Sequence, residues 1–461
     1  MFSQINSIFR KKNIAEISQL NLPRESKHIL DKYNIDIENI PINEKNEIIV
    51  NNIEDKLNVI GAFLANINNK NRTNNTRFEE IIESKARKLI NTAEIKRKNN
   101  EVVSTFNENN TSDNPSIEEP ENYFTYVSSV EKKFRHLNNK KSSGIDKKKI
   151  PNIVLKHLPT NIIRAYTILF NNLLNNRYFP LHWKKALVVP ILKKNKESTN
   201  PINYRPISLF PNISKVYEMV INDTILKKCS KKNILPESQF GFRSKHSTIH
   251  AINKLISDIC WAINDKKCVG ACLIDLEKAF DSVWLSGLIV KLSQNNFSDH
   301  MIELIWSMIS ERSFVTTIGN LTSTKNFNIK NGLQQGTVNS PILFNIYTCY
   351  VLKFCNTNSV CPIKSIAFAD DLIIYHEDSW PTQIQDKLQD RFERINSYYK
   401  AWKLKININK CETILFRQNL EYANKNVRKN YKVFSIKEGN ETIPLRNCVR
   451  YLEIYLDEKL K

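Results

Sequence analysis

The chain has 461 residues, enough for two or three domains, and its 41% hydrophobic and 25% charged residues exclude a wholly disordered polymer. Lys and Arg number 68 against 47 Asp and Glu, a formal net charge of +21, which favours a polyanionic partner, nucleic acid before an acidic membrane surface; charge alone leaves a solvated basic surface as the alternative. The longest apolar runs, such as Ala186 to Leu192, are far too short to span a bilayer, so no membrane role is expected.

The first residues, MFSQINSIFRKKN, have neither the apolar stretch nor the small-residue cleavage site of a secretory signal. Residues 1 to about 115 carry helical periodicity in two patches, Ile53, Leu57, Ile60, Leu64, Ile67 and Phe78, Ile81, Ile82, Leu89, Ile90. Asn-rich stretches at 66–75 and 99–120 read as linkers, so this part is expected to be a helical connector. From about residue 116 the texture changes. Strands are predicted at 186–192, 268–276, 314–318, 365–369, 371–376 and 412–417, and helices at 160–176, 214–228, 247–264, 285–294, 299–309, 340–353 and 384–402. Strands and helices in this irregular order imply an α+β fold, an antiparallel sheet backed by helices.

Nine cysteines are scattered without a C-x-x-C pair, and the nearest spacings, Cys268 to Cys272 and Cys355 to Cys361, have no histidine at a zinc-site distance. Apolar neighbours surround most of them, which points to reduced core thiols in an intracellular protein. Glycine is scarce: nine in the whole chain, against a usual ~7%. A surviving glycine therefore marks backbone that tolerates little else. Gly144, Gly241, Gly270, Gly332 and Gly336 all lie in or beside the segments singled out next.

Three carboxylates stand out by position. Asp275 follows the apolar run Ala271-Cys272-Leu273-Ile274, and Asp370-Asp371 sits between IAFA and LIIY, where a tight hairpin would place it. An isolated acidic pair at a turn is usually a solvated loop. Strongly apolar flanks on both sides instead project these charges from the ends of buried strands, which is costly unless a cation neutralises them. Oxygen ligands without nearby histidine or cysteine specify Mg²⁺ or Mn²⁺. A large basic chain with such a device points to a polymerase or nuclease.

At these residues the chain resembles a known family. LIDLEKAFDSVW (273–284), GLQQGTVNSPILFNIY (332–347) and AFADDLIIY (367–375) are similar to successive palm motifs of reverse transcriptases. KKSSGIDKKKIPNIVLKHLP (140–159), WKKALVVPILKK (183–194), NYRPISLFPNISKVYEMVI (203–221) and LPESQFGFRSKHSTIHAI (235–252) resemble finger segments of non-LTR retrotransposon polymerases, and KLKININKCETILF (403–416) and VRYLEIYLD (449–457) extend the match to the end of the palm. Among these, the blocks are similar to those of jockey-like elements. The resemblance implies fingers and palm over 116–461, with a core at about 172–457, and RNA-directed DNA synthesis from dNTPs on an RNA template and a DNA primer. It favours a nuclear site of action. Protein partners are not indicated.

The resemblance also implies roles. Asp275 and Asp370 would hold two Mg²⁺ ions (Mn²⁺ as a substitute), Asp371 would complete or orient the cluster, and the backbone carbonyl of Leu276 would be a further ligand. Phe280 matches the steric gate beneath the incoming sugar, and Gln335-Gly336 the nucleotide-binding turn. Lys193 and Arg205 match the finger residues that clamp the triphosphate, and Lys410 a palm lysine that protonates the leaving pyrophosphate. Phe240, Phe242 and Arg243 would line the template path, with core packing of both phenylalanines as the competing reading, and the basic clusters Lys147–Lys149 and Lys193–Lys196 would track phosphates or face solvent. Departures from the family pattern are Gln334 in place of proline, Thr337 and Asn339 in place of serine and leucine, and Glu453 in place of the glycine of Tyr-Leu-Gly, so that Tyr451, Leu452 and Glu453 form the turn expected to hold the primer end. By comparison with intact elements the chain is expected to be a fragment lacking an endonuclease and most of the thumb, for which a role in nucleic-acid binding alone is the alternative.

Overall fold

A computed structural model describes residues 19–35, 47–69, 76–100, 123–138, 150–319, 321–355, 363–418 and 434–460. The first half of the expected finger segment 140–159, residues 140–149 with Gly144 and Lys147–Lys149, lies outside the described residues, as does Cys361 of the spacing Cys355 to Cys361. The fold is α+β, and the chain divides into two compact units. The first comprises Met1–Asn71, Ile82–Leu226 and Leu292–Ser340; the second comprises Arg72–Ile81, Lys227–Lys291 and Pro341–Lys461.

In the first unit β1 (Leu20–Pro23) pairs with β2 (Glu47–Val50). A five-stranded sheet runs in the order β4 (Tyr204–Leu209), β3 (Lys185–Leu192), β6 (Arg312–Ile318), β7 (Leu321–Thr322), with β8 (Phe327–Ile329) also on β6. The β3–β6 pairing is parallel and the others are antiparallel. Residues 20–35 and 47–67 are packed into this unit rather than forming the separate helical connector expected for 1–115. Leu20, Leu22, Ile48 and Val50, with Ile60 and Phe63 of the helix Ile53–Asn69, share one core with Ala186, Val188, Phe314 and Phe327. The apolar stripe of that helix is what this sheet buries, and the alternating strands before it supply the rest.

In the second unit a four-stranded antiparallel sheet has the order β11 (Glu412–Phe416), β5 (Cys268–Ile274), β10 (Asp371–Asp378), β9 (Lys364–Phe368). One face packs on the helix Thr248–Asn264 through Ala251, Leu255 and Ile259 against Val269, Ala271, Ile373 and Tyr375. The helix Pro381–Ala401 covers the other face, with Ile384 against Gly270. Because both faces are buried, these strands read as continuous apolar runs rather than alternating ones. Two small hairpins complete the unit: β12 (Ile436–Glu438) with β13 (Glu441–Ile443), and β14 (Cys448–Tyr451) with β15 (Ile454–Asp457). Cys268, Cys272, Cys349 and Cys411 are buried free thiols here, and burial raises the pKa of each.

Candidate active site

The sheet of the second unit brings the acidic residues to one end. Ile274 of β5 lies opposite Leu372 of β10, so the register continued by one step sets Asp275 opposite Asp371. Phe368 pairs with Asp371 across the β9–β10 hairpin, leaving Ala369 and Asp370 as its two-residue turn, and Ala369 takes φ +63°. Such tight hairpins need a positive φ to match the twist of the strands. Leu276 bridges Ile406, flanked by bonds from Asn407 N–H to the Asp275 carbonyl and from Glu277 N–H to the Lys405 carbonyl. Leu276 is thus the non-hydrogen-bonded partner, and its own carbonyl points away from Ile406 toward the β10 side.

The electrostatics of this end are unbalanced. Burial raises the pKa of Asp370, with the Asp275 carboxylate adding to the rise and Lys410 opposing it. Asp371 is pushed up to about 6, first by desolvation, then by the carboxylates of Asp370 and Asp275, with Lys410 opposing and Glu453 adding. As a residue Asp371 remains exposed, so its carboxyl is desolvated from the protein side only and the like charges matter more than burial alone would suggest. Lys410 Nζ sits 3.2 Å from Asp275 Oδ2 on the exposed side of the cluster, a pair worth at most ~1 kcal/mol in such a setting. Among the described residues no three His, Cys, Asp or Glu side chains close around one point. Oxygen donors with surplus negative charge fit a hard divalent cation.

Phe280 opens a short 3₁₀ turn, Phe280–Ser282, after β5. Its ring stacks on Phe344 (centroids 4.7 Å, interplanar 20°) and meets Phe242 edge-on (6.4 Å, 89°). Of the three residues expected on a template path, Phe242 is exposed. Phe240 packs partly into the core, with His246 at its edge. Arg243 Nη1 donates to the carbonyls of Pro236 (2.7 Å) and Gln239 (3.2 Å), so this nitrogen braces its own loop.

The β14–β15 hairpin corrects another expectation. Tyr451 is 3% exposed and packs in the same core as Val269 and Ile373, so its ring anchors the hairpin and is withdrawn from a primer. Leu452 and Glu453 form the turn, with φ +47° and +71°. Glu453 projects into solvent and forms an ion pair with Arg450, which answers part of its charge. A β-carbon in the left-handed region costs about 1–2 kcal/mol, and this exposed ion pair offsets little. Glu453→Gly is therefore expected to stabilise the chain by roughly 1 kcal/mol and to improve primer extension most at low salt. Denaturant unfolding and a salt series check both; a variant no more stable than the parent rules out strain at the turn.

In the first unit Lys193 and Arg205 lie on the β3–β4 hairpin. Arg205 pairs with Ile191, and Lys193 N–H donates to Asn203, which puts the two basic side chains on one face with the pair Leu192–Tyr204 between them. Lys193 Nζ donates to the Ile202 carbonyl at 3.0 Å, while Arg205 is exposed. The Gln335 carbonyl accepts from Ser208 N–H on β4 (3.0 Å). Gly336 has φ +111°, and a β-carbon there would lie 2.5 Å from the Ser208 carbonyl oxygen, so only glycine fits.

Glu218, which the sequence did not single out, holds the chain after that turn. Its carboxylate accepts from Val338 N–H (2.6 Å), and its carbonyl accepts from Asn339 Nδ2 (3.1 Å). Asn339, a departure from the usual leucine, is therefore partly satisfied. Burial pushes the Glu218 carboxyl up to about 7. A buried acid bonded to a backbone N–H two residues past a glycine turn leaves no pattern in sequence.

Gln334 is less well accommodated. It is 6% exposed, and neither its amide oxygen nor its nitrogen has a partner among the described residues. An unmade buried hydrogen bond costs about 1–3 kcal/mol, so Gln334→Met, close in shape without the amide, is expected to stabilise the chain by roughly 1–2 kcal/mol in urea unfolding. An unchanged midpoint would mean that bound water satisfies the amide.

Residues 191–452, more than half of the chain, match the family described as reverse transcriptase (RNA-dependent DNA polymerase). A probable RNA-directed DNA polymerase from transposon BS of Drosophila melanogaster is 31% identical over 294 residues, 62% of this chain and 32% of the relative. One from transposon X-element of the same species is 30% identical over 322 residues, 70% of this chain and 34% of the relative. The RNA-directed DNA polymerase from mobile element jockey of Drosophila funebris is 30% identical over 285 residues, 61% of this chain and 30% of the relative. The chain spans about a third of the length of these relatives. With the matched region containing Asp275, Asp370 and Asp371 and the whole four-stranded sheet at whose end they lie, the chain belongs to the reverse transcriptase (RNA-dependent DNA polymerase) family.

Proposed function

We propose that this chain is an RNA-directed DNA polymerase of a non-LTR mobile element, joining a dNTP to a primer 3′-hydroxyl on an RNA template with release of pyrophosphate. The observation that carries the reading is the convergence of Asp275, Asp370 and Asp371 at one end of adjacent strands, with more negative charge than Lys410 balances. Reverse transcriptases generally depend on a divalent metal. Asp275, Asp370 and the Leu276 carbonyl would hold two Mg²⁺ ions, or Mn²⁺, with Asp371 completing or orienting the set. When bound, the ions activate the attacking hydroxyl and stabilise the leaving pyrophosphate.

The remaining roles belong to the chain's own groups. Lys410, beside Asp275, is assigned to protonate the departing pyrophosphate. Phe280, fixed by its stack on Phe344, would exclude a 2′-hydroxyl by its bulk. Lys193 and Arg205 would hold the triphosphate, and the Gly336 backbone would lie against the nucleotide. Phe242 would offer a surface to the template and the 452–453 turn to the primer end. The polymerase would comprise residues 116–461, with a core at about 172–457. The structure supports adding residues 20–35 and 47–67, which share the core of the first unit. Among the described residues no helix is long and apolar enough to cross a membrane.

The deciding experiment is primer extension on poly(rA)/oligo(dT) with Mg²⁺ or Mn²⁺, with the Asp370→Asn variant alongside. Incorporation by the parent alone supports the reading. RNA binding without incorporation under either ion would leave a binding protein.

A further inference from the structure

The segment Ser238–Gly241, which contains Phe240 of the expected template path, is tied to the turn that carries Asp370. Gln239 is 2% exposed. Its Oε1 accepts two backbone bonds, from Gly241 N–H (2.9 Å) and Ala369 N–H (3.0 Å), and its Nε2 lies 3.4 Å from the Ala369 carbonyl oxygen. The backbone follows: Phe240 N–H donates to the Ala367 carbonyl and Ala367 N–H to the Ser238 carbonyl, both at 2.8 Å. These bonds extend the sheet beyond β9, its edge strand, by one short parallel bridge between Gln239 and Ala367.

Gly241 makes the approach possible, since a β-carbon there would lie 2.2 Å from Ala369 N. Asn345 Nδ2, from the helix Ser340–Cys355, donates to the Gly241 carbonyl at 2.9 Å and holds the segment from behind. The turn needs such a hold. Ala369 adopts a positive φ that a residue with a β-carbon disfavours, so the direction of this strained turn depends on the groups bonded to it.

We infer that Gln239 is a positioning residue for polymerisation: by accepting the Ala369 N–H it locks the Ala369–Asp370 turn and so fixes the direction of Asp370 relative to Asp275. The inference rests on the polymerase reading above, but its geometry can be tested apart from it. Gln239→Met keeps the length and apolar body of the side chain and removes the acceptor; Gln239→Glu keeps an accepting oxygen. Tyr375→Phe serves as a control for lost stability, because it breaks a buried bond to Asp258 further along β10. Three quantities are measured on the full chain: kcat and KM for dTTP in primer extension on poly(rA)/oligo(dT), amide hydrogen exchange over residues 363–372, and Mn²⁺ affinity from the signal of free Mn²⁺.

For Gln239→Met the expected results are a fall in kcat of about 100-fold with KM little changed, faster exchange at Ala369, and weaker Mn²⁺ binding. Gln239→Glu is expected to retain amide protection and a kcat above that of Gln239→Met. A Gln239→Met loss of kcat no greater than that of Tyr375→Phe, or unaltered exchange at Ala369, overturns the inference. Should Gln239→Met not fold, Gln239→Asn, one methylene shorter, withdraws the same acceptor and is judged by the same criteria. If the parent extends no primer with either metal, the polymerase reading fails instead. The clamp then stands or falls on exchange and Mn²⁺ affinity, which it requires Gln239→Met to change.

Discussion

Asp370→Asn is expected to reduce template-directed incorporation by at least about a thousand-fold, equivalent to ~4 kcal/mol of transition-state stabilisation, while leaving the fold as stable as the parent or more so at neutral pH. The first half follows from the proposed site: Asp370 supplies charge at the sheet end where Asp275 and Asp371 lie opposite one another, and an amide supplies none. The second half follows from its surroundings. Burial and the Asp275 carboxylate raise the pKa of Asp370 above its ordinary 3.8. For an acid shifted upward the folded state prefers the protonated form. The penalty is absent below the unfolded pKa, grows as pH rises past it, and is complete above the folded pKa.

Asp371 behaves in the same sense, its window running from 3.8 to about 6. Without divalent cations the parent should therefore lose stability relative to Asp370→Asn as pH rises from about 4 to 7, and added Mg²⁺ should close the gap. Thermal unfolding of both proteins at pH 5 and pH 8, in EDTA and in Mg²⁺, measures this. A variant less stable than the parent at pH 8 in EDTA would show that Asp370 serves a structural bond rather than a cation site.

That site was legible because charge at the end of an apolar run is conspicuous, and the sheet strands carrying it are buried on both faces. Elsewhere the pattern fell short for identifiable reasons. The strand β4 contains Pro206, which argues against a strand in a sheet interior. The structure accommodates it because β4 is an edge, with Pro206 opposite Pro190. Pro190 in turn sits past the parallel pairing of β3 with β6, which ends at Val188, so no ladder bond to β6 is lost. The strands β1 and β2 are four residues each, too short for alternation to stand out from the helical patches beside them.

Tyr451 reads as a primer contact because it precedes the departing Glu453, yet its place in the core follows from the alternation Val449, Tyr451 on one face of β14. Gln239 was invisible for a different reason. It works through backbone groups of Ala369 and Gly241, and backbone bonds across 130 residues leave no signature in composition or spacing. Only the scarcity of glycine pointed to the segment, through Gly241.

Phe280→Val should admit ribonucleotides, lowering discrimination between dNTP and NTP on the order of 100-fold, while use of dNTPs falls little. The argument is one of rejection by bulk. Ribose carries a hydroxyl where deoxyribose carries a hydrogen, so it is the larger sugar, and a ring excludes it only if the ring is too stiff to move aside. Phe280 has the support that stiffness requires. Its ring lies flat on Phe344 at 4.7 Å, and Phe242 abuts it edge-on. Contacts of this kind add roughly 0.5–1.5 kcal/mol beyond area burial.

Valine removes the ring and leaves Phe344 without its stack, which for a half-buried phenylalanine costs roughly 1–2 kcal/mol of stability. That loss must be separated from any change in selectivity. Phe344→Leu provides the separation, because it removes the support and keeps the gate. If exclusion depends on a ring held in place, Phe344→Leu should relax sugar discrimination part of the way toward Phe280→Val at a comparable loss of stability. The measurement is the ratio of kcat/KM for dTTP and UTP on a poly(rA) template for parent and both variants. Unaltered selectivity in Phe280→Val would remove Phe280 as the gate. A relaxed Phe280→Val beside a fully selective Phe344→Leu would keep the gate and show that Phe242 and the backbone of the 280–282 turn are enough to hold it.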